Sequence, residues 1–130
     1  MVDYRSDPEL HLIVDGTLVW PQSVIGTMYT FNLPAGATQI IIASKSVIPR
    51  NIGGADVRRL GVPLVRVVLK KADTSIEIRS DNPALRQGFH RDEGTHRWTN
   101  GRAVLPQLPQ CPEVVTMEVH IGTGELRYSD

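Results

Sequence analysis

Chemistry-bearing side chains crowd into residues 88–106, GFHRDEGTHRWTNGRAVLP. His90, Glu93 and His96 are spaced three apart, and two imidazoles with a carboxylate suit zinc, iron or manganese. The spacing works against convergence. A helix would put all three on one face, but Gly94 and the β-branched Thr95 break a helix. On an extended strand His90 and His96 share a face and Glu93 points to the other. Only a loop brings the three together, and a fourth ligand would have to come from His11 or His120. The same stretch offers a ligand platform. The Trp98 indole can stack on a sugar ring while Glu93 and Arg97 hydrogen-bond its hydroxyls, with His90 beside them. The competing role is structural: Trp98 as the core tryptophan of a β-sandwich, and Arg97 paired with Glu93 to fix the loop. The structural role is the expectation.

Other chemistry finds less support. Arg58 and Arg59 could grip a carboxylate or phosphate, or tie down the loop before LGV. Ser44 and Ser46 lack the G-x-S-x-G elbow of a serine nucleophile. Gly53-Gly54 lacks the spacing of a phosphate-binding loop. Asp92, Glu93 and Glu118 could supply a carboxylate pair for glycoside hydrolysis, but nothing in the sequence fixes their separation. Two Trp, three Tyr and two Phe leave little aromatic surface to line a sugar groove. Cys111 is the one cysteine, so an intramolecular disulfide is impossible and a zinc site would need other ligands. No cofactor is expected.

The elements that must position these residues are strands. Residues 1–8 are polar, end at Pro8, and read as a flexible arm or edge strand; 9–130 form one domain. LHLIVDGTLVW is a hairpin around Asp15-Gly16. Tyr29, Phe31 and Leu33 alternate with Thr30 and Asn32. TQIIIAS is apolar enough to be central. KSVIPRNIGGADVRR is a long connection. The valine-rich run to Lys71 contains Pro63, which argues for a bulge or an edge. Residues 74–80 alternate through Ile76 and Ile78, and DNPALRQGF is a loop with room for one helical turn. HRWTNGRAVLP reads as a second hairpin around Asn100-Gly101. In EVVTMEVHIG, Val115, Met117, Val119 and Ile121 face one way and Thr116, Glu118 and His120 the other. GELRYSD can pair back across the turn from Gly122 to Gly124. Short strands, frequent turns, 11 Gly and 9 Pro predict an all-β, antiparallel two-sheet sandwich of jelly-roll type.

Charge narrows the partners. Fourteen Lys and Arg balance fourteen Asp and Glu, so no basic excess points to nucleic acid or anionic lipid. Near-neutrality permits self-association into a homo-oligomer through strand edges. No run reaches the length of a membrane span, and the N-terminus has no apolar signal core, which makes the cytoplasm the default expectation.

LHLIVDGTLVWP, YTFNLPAGATQIIIASKSVIP, DVRRLGVPLVRVVL and GFHRDEGTHRWTNGRAVLP together resemble a bacterial accessory domain. That domain accompanies Hedgehog/intein-type (Hint) domains and occurs in or beside some glycosyltransferases. Its pattern falls here on Ser44, Ser46, Pro49, Asp56, Arg58 to Val62, Gly88 to His90, Glu93, Arg97 to Gly101, Ala103, Leu105 and Pro106, across about four fifths of the chain. Lys45 stands where arginine is usual. The chain carries no splicing-type catalytic module, so self-processing is not implied. The resemblance implies a β-sandwich that binds or positions something, a glycan or a partner protein, in a cell-envelope or polysaccharide context. The expectation is therefore a non-enzymatic binding module, with Glu93, Arg97, Trp98, His90, Arg58 and Arg59 as its candidate ligand-binding residues. A self-assembling structural domain and a metal-dependent enzyme using His90, Glu93 and His96 are the alternatives.

Overall fold

The computed structural model describes residues 4–5, 7–71, 74–107, 114–123 and 128–129. The first strands in chain order are β1 (Tyr4–Arg5), β2 (His11–Val14), β3 (Thr17–Val19), β4 (Ser23–Ile25), β5 (Met28–Leu33) and β6 (Ile40–Ala43). They are followed by β7 (Pro63–Lys71), β8 (Thr74–Arg79), β9 (Phe89–Asp92), β10 (Arg97–Thr99), β11 (Arg102–Val104), β12 (Val115–Ile121) and β13 (Tyr128–Ser129). All pairing is antiparallel. A seven-stranded sheet runs β4-β5-β12-β7-β10-β9, with β8 also on β7, and a four-stranded sheet runs β11-β6-β2-β3. The two face each other across one apolar core, so the all-β two-sheet sandwich is borne out.

The strand period of two decides what each face carries. In register across three strands, Leu69, Met117 and Phe31 form one row, and Val67, Val119 and Tyr29 the next. Both rows are buried, and they face Leu12, Val14, Ile40 and Ile42 of the smaller sheet. The intervening row, Val68, Glu118 and Thr30, stands on the outer side of the large sheet. There Glu118 accepts from Lys70 Nζ at 2.7 Å, and His120 lies 3.1 Å away. The Lys70 contact holds the Glu118 carboxyl below its ordinary range, against a smaller opposing effect of burial.

Turn chemistry accounts for the first hairpin. Asp15 and Gly16 both have positive φ, 47° and 85°, as a type I′ turn requires. The Asp15 carboxylate accepts from Thr38 Oγ1 at 2.6 Å and from the Gln39 amide at 2.9 Å, which joins this turn to the approach of β6. A second tight hairpin, over Gly26-Thr27, joins β4 to β5.

Three expectations are corrected, and a fourth holds in one of its two forms. Asn100-Gly101 is not a hairpin: β10 belongs to the large sheet and β11 to the small one, so the pair is a crossover between sheets. Pro63 opens β7, which is central, so of the two forms expected there the edge is corrected and the bulge is found just beyond, with Val65 the extra residue between the pairs Ile121↔Leu64 and His120↔Arg66. Tyr128 and Ser129 pair with Arg5 and Tyr4, not with β12, and residues 124–127 lie outside the described part. The one helical turn among the described residues is a 3-10 turn at Pro49–Ile52, within the long connection rather than in 81–88.

Met117→Ala should cost about 2–5 kcal/mol of stability, because the side chain is fully buried between two rows of neighbours. Thr116→Ala, one residue away on the outer face, should change stability by less than about 0.5 kcal/mol. Urea unfolding of both variants reads the difference.

Candidate functional site

The crossover from β10 to β11 is built by close backbone approach. Thr99 is fully buried, and its hydroxyl accepts from the Val62 amide at 3.0 Å and the Gly101 amide at 3.3 Å. The Thr99 amide donates to Val62 O at 2.9 Å, and the Gly61 amide donates to Thr99 O at 2.6 Å. A Cβ on Gly61 would run into Thr99 Oγ1 and lie 2.5 Å from the Gly101 nitrogen. A Cβ on Gly88 would strike Arg102 O and lie 2.6 Å from Ala103 Cα. Gly88 also needs a positive φ of 86°. Ser44 donates its amide to Gly101 O at 3.0 Å, and Asn100 donates to Gly88 O at 2.9 Å. The stretches DVRRLGV, GFH and RWTNG, far apart in sequence, therefore meet at one corner.

A polar cluster covers that corner. Asp56 receives Arg58 Nη2 at 2.7 Å, Arg58 Nε at 3.1 Å and the Arg58 amide at 2.9 Å. These bonds to Arg58 bring the Asp56 carboxyl from its ordinary 3.8 down to about 2. Asp56 in turn raises the affinity of the Arg58 guanidinium for its proton. Arg58 Nη2 also lies 3.6 Å from Glu93 Oε2, and His96 Nε2 lies 3.9 Å from the same oxygen. His90 Nε2 donates to the Arg59 carbonyl at 2.6 Å, so that nitrogen carries the hydrogen. Arg59 Nη1 donates to Ser46 Oγ at 3.0 Å.

Arg97 departs from expectation. It does not pair with Glu93, whose partner is Arg58. Its Nη1 donates to Leu85 O at 2.8 Å and Asn82 O at 3.2 Å, which pins the loop before β9. Its cross-strand partner is Asp92. Arg97 Nε and Asp92 Oδ1 are both buried without a protein hydrogen bond. The guanidinium is committed to the fold and is not presented to a ligand.

Trp98 also departs from expectation. Thr99 points inward, so Trp98, the preceding residue, points to the outer face of the large sheet. It is outside the core cluster. His96 meets the indole edge-on, with ring centroids 5.9 Å apart. Together they line an open cleft of about 330 Å³ with Pro63, Val65, Thr95, Gly122 and Thr123. The register shift at Val65 helps shape this cleft, since the extra residue turns a side chain outward that strict alternation would not. Pro63 was the visible signal in the sequence; Thr95 and Thr123 carried none.

The metal reading loses its geometry. His90 is engaged with a backbone carbonyl and Glu93 with Arg58. Among the described residues no group of three or more His, Cys, Asp or Glu is placed to hold an ion. His11 stacks on Trp20 and His120 sits beside Glu118, so neither completes a set. No family model matches the chain, and neither a curated protein nor a solved structure matches it.

The Asp56 shift has a sign. The folded state prefers the charged carboxylate, so its contribution to stability is full above pH 3.8 and is lost as pH falls toward about 2. Carbon-detected NMR should show Asp56 titrating near that lower value. Asp56→Asn should flatten the corresponding part of the acid limb in a series of melting curves.

Proposed function

We propose that this chain is a non-catalytic binding module whose ligand seat is the cleft beside Trp98. The supporting observation is the position of the indole: the large ring stands outside the core and borders an open hollow, where a sandwich tryptophan would ordinarily fill the interior.

The lining favours an uncharged polyhydroxyl ligand. Among the described residues, His96 is the one titratable side chain of the lining, and neutral groups make up the rest. Trp98 supplies an apolar ring for the C–H face of a sugar and Thr123 a hydroxyl for its hydroxyl groups, while Thr95 Oγ1 and His96 Nδ1 are bonded to each other at 2.9 Å, which leaves the second valence of the Thr95 hydroxyl for a ligand. The volume lies at the small end of ligand sites, which fits one or two sugar rings. Affinity should be on the order of millimolar per ring, given the few polar groups available.

The remaining candidate residues serve this seat from behind. Glu93, held by Arg58, lies beside His96, and the Glu93 amide donates to His96 O at 2.9 Å. Those contacts fix the turn that carries Thr95 and His96. Arg58, Arg59, His90 and Arg97 are positioning residues in this reading.

Titration of the labelled protein with neutral mono- and disaccharides, followed by amide and indole NMR shifts, tests the proposal. Binding should move the Trp98 indole signal, and Trp98→Ala should abolish it while leaving the melting point nearly unchanged. Failure of every saccharide to shift the wild-type spectrum would overturn the sugar assignment. A melting point about 10 °C lower in Trp98→Ala would show that the indole supports the fold instead.

A further inference from the structure

A sheet edge exposes a row of unpaired backbone N–H and C=O groups, and folded proteins ordinarily blunt it with charge. The outer strands of the two large sheets are unequal in this respect. β8 carries Glu77 and Arg79, β9 carries Arg91 and Asp92, and β11 carries Arg102. β3 (TLV) and β4 (SVI) carry none. From Leu12 to Ser44 the chain has a single Asp, Glu, Lys or Arg, which is Asp15, and its carboxylate is held by Thr38 and Gln39 toward the approach of β6, on the side of β2 away from the β3 edge.

The two unprotected edges lie on one side of the sandwich. β3 borders the small sheet and β4 the large one, and only Trp20, Pro21 and Gln22 separate them. That short link spans roughly 13 Å when extended, little more than the ~10 Å between packed sheets. The rim is also apolar: Leu18 and Trp20 are each 56% exposed, Val24 is 51% exposed and Ile25 is 68% exposed.

We infer that this rim is the interface of a two-fold dimer, and that its occupant is a second copy of the chain. In an isologous contact each surface meets itself, so any charge on it would meet its like. Among the described residues, β3 and β4 are the outer strands of the two sandwich sheets that meet this condition, since neither carries an ionic side chain to be buried or to repel its copy. A two-fold axis normal to the sheets sets β4 antiparallel to its own copy and β3 to its own, and both sheets continue across the boundary. Trp20, steadied by His11 at a ring-centroid distance of 4.6 Å, is the aromatic anchor at the centre. Trp98 lies at the β10 end of the large sheet, far from β4 in strand order, so the dimer does not depend on the sugar-binding reading.

Sedimentation velocity of the full chain over a wide concentration range tests this. The wild type should form a dimer. Val24→Lys and Ile25→Lys place like charges against each other and should weaken it at least about tenfold. Ile76→Lys, an exposed position on the already charged β8, should leave it intact. Circular dichroism confirms folding of each variant. A readout that needs no variant is amide exchange at Ser23–Ile25, which should slow as wild-type concentration rises. A wild type that stays monomeric, or a dimer indifferent to both β4 substitutions, would overturn the inference.

Discussion

One buried hydroxyl holds the molecule's two layers in relation. Thr99 sits where the chain leaves the large sheet for the small one, and its side chain accepts from the buried Val62 amide and from the part-buried Gly101 amide. Its own amide and carbonyl pair with Val62 and Gly61. The contact leaves no space for a side chain on Gly61, and Gly88 is confined in the same way by the start of β11. The polar cluster of Asp56, Arg58 and Glu93 and the orientation of Trp98 both follow from that anchorage. A residue on each side of Thr99 is thereby assigned its direction: Trp98 outward, and Gly101 against Ser46.

This changes what the charged residues of the corner are for. A run of arginine, histidine and glutamate invites a catalytic or metal-binding interpretation. Here the arginines end on carbonyls, a hydroxyl and carboxylates of the same corner, and His90 ends on a backbone carbonyl. Such groups stiffen loops that have few apolar contacts. The cleft on the outer face is formed differently, by a register shift in β7, by Trp98 of β10 and by the loop residues Thr95, His96, Gly122 and Thr123.

Local signals in the sequence were reliable where the physics is local. Asp15-Gly16 closes a hairpin because both positive φ values can be met by those two residues. The alternation in residues 115–121 follows from one strand having one buried face. Asn100-Gly101 misled for a physical reason: the same left-handed glycine, at φ 100°, serves a corner between sheets as readily as a hairpin. Which of the two forms depends on Ser44 and Gly61, more than 35 residues away. Arg97 misled similarly, because Glu93 is near in sequence while the carbonyls of Asn82 and Leu85 are near in space. The cleft was half legible. Trp98 stood out by type, but its exposure is set by strand parity, and the outward Val65 by pairing with β12.

The pairing of β1 with β13 sets Tyr4 opposite Ser129. Antiparallel neighbours are about 5 Å apart. Residues from opposite extremes of the fold thus stand side by side, and the body of the sandwich forms a closed loop of chain that leaves from where it entered. Such a unit can be spliced into a surface turn of a host protein without prising the host's own backbone apart.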